Sequence, residues 1–334
     1  MTFAFETDQY NLPPEPLTDI GDEVSQYVEG RIQLAIADVN ARIALHKLCI
    51  ERVEGQSSGC GPVKSESEKL AELRSSDAIA KAVFKQLGDG SIFMSGTGKW
   101  FGSHKFAHEP SRYKTSYGDS IFITRPFNYM TISPTVRMFG SEFGFDKIDH
   151  FFQQGYKYYA IYYDAIAEGK TADEATKRAV EWGKHTERTY FGSLVSGVYS
   201  NADLFANYAG MKFYQNLTND VQLGGRTLAP IVVIDNGTWS VSPRANLLRP
   251  FIADQLNEAL NPSGYSFFLV SIVKKVVRKK ACPEWRKLYP TATANEFQQR
   301  SADLEKWNGD DYGFTPKSRS VPIAVCFEAG LSTE

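Results

Sequence analysis

The sequence predicts a mainly α protein: a single domain with a helical core, an insert rich in glycine and aromatic residues, and minor β structure. Helical spacing of apolar residues returns in the amino-terminal, middle and carboxy-terminal parts of the 334-residue chain, whereas the candidate strands are few and short. No internal repeat or low-complexity linker divides the chain. Residues 1–334 are therefore expected to form one domain.

The composition limits the classes of partner. Apolar residues make up 42% and charged residues 23% of the chain, which is ordinary for a globular protein. Lys and Arg total 37 against 39 Asp and Glu, and this balance argues against a nucleic-acid partner. No window approaches the roughly 20 apolar residues of a membrane-spanning helix, so no transmembrane segment is predicted.

The amino-terminal part predicts an extended arm followed by two helices. Pro13, Pro14 and Pro16 disfavour a helix within residues 1–21. A helix over residues 22–53 then carries an apolar stripe, and residues 55–62 break it. Ser65 and Glu68 have the spacing of a capping box, which predicts a helix continuing to residue 87. These helices define an amino-terminal region over residues 22–87.

The remaining chain falls into three predicted regions. Residues 88–140 are irregular, with short strands at 119–125 and 135–139. Residues 141–217 regain helical periodicity, interrupted near Gly169 and Gly192. Residues 218–334 are predicted to be mainly helical, and the elements expected there are a strand at 228–234, helices at 243–260, 267–280 and 293–307, and a last strand at 321–327.

Two segments of the middle region carry the candidate site. Asp146 and His150 are four residues apart, and Asp203, Asn207 and Gly210 follow the spacing i, i+4 and i+7. On helices, each set lies on one face. Both sets lie among aromatic residues, where a carboxylate or an imidazole needs a polar partner. The spacing therefore predicts one shared polar site within the helical core.

The order of these residues resembles a motif of two bacterial envelope families. The chain reads DKxxHFxxxG from Asp146 to Gly155, then Glu187, then SxxDxxANxxG from Ser200 to Gly210. This order is similar to that of VanZ-like proteins and of a family of predicted periplasmic lipoproteins. The resemblance covers about a fifth of the chain. It implies an envelope location and a shared polar site, but no particular reaction. VanZ-like proteins are embedded in membranes, whereas no transmembrane segment is predicted for this chain.

Two chemical interpretations and one structural interpretation fit the polar residues. Zinc or manganese, with His150, Asp146, Glu187 and Asp203 as ligands, would activate water for hydrolysis. Without a metal, Glu187 and Asp203 could flank a glycosidic bond as a carboxylate pair. In the structural interpretation, Asp146 would accept hydrogen bonds from a helix terminus, and His150 would form a hydrogen bond with Asp203 or Asn207.

In the structural interpretation, Gly155 and Gly210 allow the two helices to approach closely. The predicted function is nevertheless hydrolysis of a cell-envelope glycan or lipid. Glu187, Asp203 and His150 are the predicted catalytic residues, and Asn207 and Lys147 the predicted substrate-binding residues. The predicted ligands of a zinc or manganese ion are Asp146, His150 and Asp203. The rival prediction is a non-enzymatic envelope module in which the same residues form a buried hydrogen-bond network and an aromatic surface binds a partner.

The cysteines are compatible with export. The simplest pairing joins Cys49 to Cys60 and Cys282 to Cys326, and the alternative is four buried thiols in a cytosolic protein. Thr2-Phe3-Ala4 has the small-x-small form of a signal-peptide cleavage site. A periplasmic or secreted protein whose leader is missing is one prediction. A chance match and delivery by a secretion system are the alternatives.

One basic run ends the predicted helix at 267–280. The residues KKVVRKK at 274–280 concentrate five positive charges in seven positions. A solvated helix end is the favoured interpretation, and attraction to an anionic membrane surface is the alternative.

Overall fold

The computed structural model describes residues 7–52, 59–91, 94–122, 132–189, 192, 197–242 and 246–328. Within these residues the fold is mainly α, as predicted. The α-helices are α1 (Gly21–Glu51), α2 (Val63–Leu73), α3 (Ser76–Leu87), α4 (Gly96–Ser103), α5 (Asp146–Asp149), α6 (Gly155–Ala167), α7 (Ala172–Arg188), α8 (Asn201–Asn216), α9 (Phe267–Val276), α10 (Cys282–Leu288) and α11 (Ala294–Asp303).

The β structure consists of short antiparallel pairs. They are β1 (Gly90–Ser91) with β2 (Met94–Ser95), β3 (Thr135–Met138) with β4 (Ser141–Gly144), β5 (Val198–Tyr199) with β10 (Gly264–Tyr265), β6 (Val221–Leu223) with β7 (Arg226–Leu228), and β8 (Val232–Asp235) with β9 (Thr238–Val241). The turn of the last pair is Asn236-Gly237, whose φ angles of 48° and 73° suit a hairpin turn.

Several predicted elements are wrong in detail. The helix expected up to residue 87 is divided at Arg74, because Ser75 caps α3 by accepting from the Ala78 amide; Ser65 lies inside α2. Residues 119–122 form turns, and the rest of that predicted strand lies outside the described residues. Helix α4 occupies part of the segment predicted to be irregular.

Two predictions in the carboxy-terminal part are also wrong. The helix expected over residues 243–260 is replaced, where described, by the short 3₁₀ turns Arg249–Phe251 and Asp254–Leu256. The last predicted strand is the 3₁₀ helix Ile323–Phe327. Apolar composition alone did not distinguish these short elements from longer ones. None of the described helices is both long enough and apolar enough to cross a membrane.

Helix α8 lies at the centre of the main hydrophobic core. Almost every residue of α8 is buried, on all sides of the helix. It packs against α6, α7 and the π-helical turn His150–Gln154 that joins α5 to α6. Helices α1 and α3 form a second packed layer of the same cluster. Burial around the full circumference explains why the aromatic residues of α8 show no single apolar stripe.

Glycine permits the close contact between α6 and α8. A Cβ atom on Gly155 would lie 2.6 Å from the Gly210 Cα atom, and one on Gly210 would lie 2.0 Å from the Phe151 carbonyl oxygen. Both distances are too short for non-bonded atoms. The close approach that the spacing of these glycines suggested is therefore present, and it brings the polar residues of the two segments together.

A smaller apolar cluster surrounds α9, α10 and α11. The Cys282–Cys326 disulfide joins α10 to the 3₁₀ helix Ile323–Phe327, and the Cys49–Cys60 disulfide joins the end of α1 to the segment before α2. Both pairs agree with the simplest predicted pairing. In the chain-entropy model, a disulfide that closes a loop as short as that between Cys49 and Cys60 contributes about 3 kcal/mol to stability.

Substitution of Gly210 by alanine tests the helix contact. We expect Gly210→Ala to lower the free energy of unfolding by about 3 kcal/mol, because the new methyl group must push against the Phe151 carbonyl. Gly30→Ala is the control: Gly30 lies inside α1 with nothing within 4 Å of its added Cβ, so we expect a gain of up to about 1 kcal/mol. Urea unfolding measures both. Equal effects would contradict the close contact.

Candidate functional site

A fully buried lysine is the centre of the polar cluster. Lys147 lies in the first turn of α5, and its side chain has 0% relative exposure. Its ammonium lies 2.5 Å from Asp146 Oδ2 and 2.6 Å from Asp203 Oδ1, and it also donates to Glu258 Oε1. Three carboxylates from α5, α8 and the segment after the second 3₁₀ turn therefore surround one cation. Such pairing is what makes a buried ammonium tolerable.

The amino-terminal arm closes one side of the cluster. Thr7 donates its hydroxyl hydrogen to Asp146 Oδ1 at 2.5 Å, and Gln9 Oε1 accepts from the Glu258 amide, also at 2.5 Å. Both arm residues are buried. Residues 7–20 contain no helix, and this part of the arm is packed into the core through polar contacts.

Ser200 connects the cluster to α7. As the residue before α8, Ser200 accepts from the Asp203 amide through its Oγ and donates to Glu258 Oε1 at 3.3 Å. Its own amide donates to Glu187 Oε1 at 2.9 Å. The S-x-x-D spacing is therefore an N-cap motif, and the cap also holds Glu187 beside α8.

His150 lies at the edge of the cluster. Its Nδ1 is 3.2 Å from Asn207 Oδ1, and its Nε2 is 3.4 Å from Asp203 Oδ2. The imidazole therefore contacts two residues that lie one turn apart on α8. The i, i+4 spacing of Asp203 and Asn207 places both side chains next to His150. Its side chain is 12% exposed, which makes it the most accessible member of the group.

The buried environment of the cluster shifts the pKa values of its carboxyl groups. Burial, and then the charge of Asp203, raise the pKa of Glu187 well above its ordinary value. Burial also raises the pKa of Glu258 to about 7, although Lys147 acts in the opposite direction. For Asp203, burial raises the pKa, but His150 and Lys147 together bring it below the ordinary value. The cluster therefore carries fewer negative charges near neutral pH than its carboxyl count suggests.

The structure brings together every residue predicted for the site. Asp146, Lys147 and Asp203 form the ion cluster, His150 and Asn207 bond each other beside it, and Glu187 joins it through Ser200. Glu258 was missed. It lies in an irregular segment more than forty residues after the end of α8 and has no motif spacing, so no local sequence signal indicated it.

The three carboxylates could offer ligands to a metal ion. One oxygen from each of Asp146, Asp203 and Glu258 lies within 4.8 Å of the others. His150, the third predicted ligand, contributes no atom to this group. The Lys147 ammonium contacts all three carboxylates, so a divalent ion at the same place would have to displace a positive charge or lie beside it. The ammonium already supplies the cation that these groups require.

Comparisons with other proteins add no further constraint. Neither a protein-family model, nor a curated protein sequence, nor a solved structure matches the chain. The resemblance to VanZ-like proteins and predicted periplasmic lipoproteins therefore rests on the motif residues alone.

Removal of the central cation tests the cluster. We expect Lys147→Met to lower the free energy of unfolding by about 3–5 kcal/mol, because carboxylates would remain buried without their cation. Lys81→Met is the matched control, since Lys81 is exposed on α3, and its effect should stay within about 0.5 kcal/mol. Chemical unfolding at neutral pH measures both. Similar losses for the two variants would contradict a central role of Lys147.

The raised pKa of Glu258 predicts that stability falls as pH rises. The folded protein retains this proton up to a pKa of about 7, whereas the unfolded chain releases it near 4.5. Between these values the native state binds more protons, so the free energy of unfolding should decrease by up to about 3 kcal/mol. The lowered pKa of Asp203 acts in the opposite direction, but only at lower pH, outside this window.

Unfolding curves from about pH 5 to about pH 7 measure this dependence. Glu258→Gln imitates the protonated carboxyl group and should flatten the slope. Glu68→Gln removes an exposed carboxyl group of α2 and should leave the slope unchanged. A wild-type protein whose stability rises over this window would show that the proton on Glu258 is not retained.

Proposed function

We propose that the chain is a non-enzymatic binding module of the bacterial cell envelope and that it binds glycan in a tyrosine-lined groove. In this proposal the polar cluster stabilises the fold. The support for that role is burial: Asp146, Asp203, Glu187 and Glu258 are each at most 4% exposed, and the central ammonium is completely covered. A substrate would have to displace a bonded ion network to reach these groups.

The groove is the observation that carries the binding function. It has a volume of about 370 Å³ and lies between α6, the last turns of α8 and the first strand after it. Tyr159, Tyr162, Tyr163 and Ile166 supply its apolar lining. The polar lining comes from Ser76, Lys212, Gln215, Asn219, Asp220 and Gln222.

This combination of side chains suits a sugar ring. A pyranose has C–H groups on its faces, which pack on aromatic rings, and hydroxyl groups on its edge, which need donors and acceptors. Tyr163 is 37% exposed, so its ring is available at the surface. Amide groups such as those of Gln215 and Gln222 both donate and accept. The groove therefore offers stacking and edge recognition in one place.

The disulfides support an envelope location. Both cysteine pairs are bonded within the described residues. Disulfides persist in oxidising compartments such as the periplasm, whereas cytosolic thiols are kept reduced. Together with the motif resemblance, they favour a periplasmic or secreted protein that meets envelope glycans.

Co-sedimentation with purified peptidoglycan sacculi tests the binding function. We expect the wild-type chain to sediment with the sacculi and the Tyr162→Ala/Tyr163→Ala variant to bind at least about tenfold more weakly, since each ring loses its stacking contact. Phe267→Ala removes an exposed aromatic residue from another surface and should bind normally. Loss of binding in this control, or unchanged binding in the tyrosine variant, would reject the groove.

Hydrolysis is the second candidate function, and one observation favours it. Burial, and then the charge of Asp203, raise the pKa of Glu187 well above its ordinary value, and a general acid that works near neutral pH needs a raised pKa. The same sacculi distinguish the two functions. Release of soluble fragments by the wild-type chain, but not by Glu187→Gln, would establish hydrolysis and reject the non-enzymatic module. The predicted zinc or manganese ion belongs to this second candidate.

A further inference from the structure

Helix α9 presents a mixed aromatic and basic face to solvent. Its opposite face, which includes Leu269 and Val273, is buried in the smaller apolar cluster. On the exposed side, Phe267 is 79% and Phe268 is 58% exposed, and Phe267 is the most exposed large apolar side chain among the described residues. At 100° per residue, Phe267, Ser271 and Lys274 fall on one side of the helix.

The cations of this region are only partly neutralised. Arg278 bonds Glu328 at 2.9 Å and Lys280 bonds Asp119 at 2.6 Å. Lys274, Lys275 and Lys279 are exposed, and none of the three has an ion pair among the described residues. An excess of three positive charges therefore follows the exposed phenylalanines. At 1.5 Å per residue, Lys274 and Lys275 lie about 10–12 Å further along α9 than Phe267. Lys279 lies in the π-helical segment Val277–Ala281, which continues α9.

We propose that this face, defined by Phe267, Phe268, Lys274, Lys275 and Lys279, binds the surface of an anionic phospholipid bilayer. With the helix axis parallel to the bilayer, the phenyl rings enter the boundary between headgroups and acyl chains, and the ammonium groups contact lipid phosphates. Aromatic residues on a helix that also carries lysines are the usual composition of an interfacial helix. This inference is independent of the glycan groove, which lies on other elements.

A bilayer fits this face better than a double-stranded nucleic acid. The chain as a whole has a net charge of −2, so its general field does not attract a polyanion in solution. A double-stranded nucleic acid would use the lysines, but its bases are stacked inside the duplex and its phosphate backbone offers no partner to the ring of Phe267. A bilayer can contact both the lysines and the phenylalanines, since its anionic headgroups lie directly above its apolar interior.

Sedimentation with lipid vesicles tests the proposal on the full chain. We expect binding to vesicles of phosphatidylglycerol and phosphatidylcholine in equal parts, and little binding to phosphatidylcholine alone. High salt should weaken the binding, because it screens exposed charges. Lys274→Gln/Lys275→Gln should reduce the partition coefficient by about thirtyfold, since each lysine near an anionic surface contributes a factor of about five.

Two matched controls separate this face from general charge and hydrophobicity. Lys81→Gln/Lys85→Gln removes the same charge from exposed positions of α3 and should bind like wild type. Phe267→Ser should weaken binding, whereas Leu45→Ser, at a 55% exposed position of α1, should not. Equal binding to both kinds of vesicle, equal losses in the two lysine variants, or retention of single-stranded RNA but not of vesicles would overturn the proposal.

Discussion

A lysine ammonium without access to water must be surrounded by acceptors, and this requirement organises the centre of the molecule. The partners of Lys147 come from α5, α8 and the segment around Glu258. Through Thr7, Gln9 and Ser200, the same network reaches the amino-terminal arm and α7. Parts of the chain that are distant in sequence are thus held in one arrangement, because every other arrangement would leave a buried charge without a partner.

The helix contact and the ion cluster support each other. Gly155 and Gly210 let the backbones of α6 and α8 approach, and this approach lets His150 reach both Asp203 and Asn207. A larger residue at either glycine would separate the helices and lengthen these contacts. Burial raises the pKa of Glu187 and of Glu258, which favours the neutral form of these two carboxyl groups beside the single lysine.

We place the proposed binding functions on the surface because the polar cluster around Lys147 is buried. The tyrosine groove and the exposed face of α9 are open to solvent, and each combines aromatic rings with polar or charged groups. The two disulfides stabilise the fold near its ends, one beside α1 and one beside α10. The two ligands that we propose for these surfaces, an envelope glycan and an anionic bilayer, occur side by side in a bacterial envelope.

The sequence alone predicted the helical class, the helix positions around the motif and one shared site for Asp146, His150, Glu187, Asp203 and Asn207. It favoured the observed disulfide pairing as the simplest one but left free thiols open as the alternative. These features follow from local spacing: apolar periodicity, capping residues and residues one turn apart depend on neighbours in the chain. Only the tertiary structure identified Glu258, placed Lys147 as the central cation of the cluster, and revealed the burial of the site. It also decided that residues 323–327 are helical and not a strand. Such features depend on contacts between distant segments, and no local pattern encodes which distant carboxylate meets a buried cation.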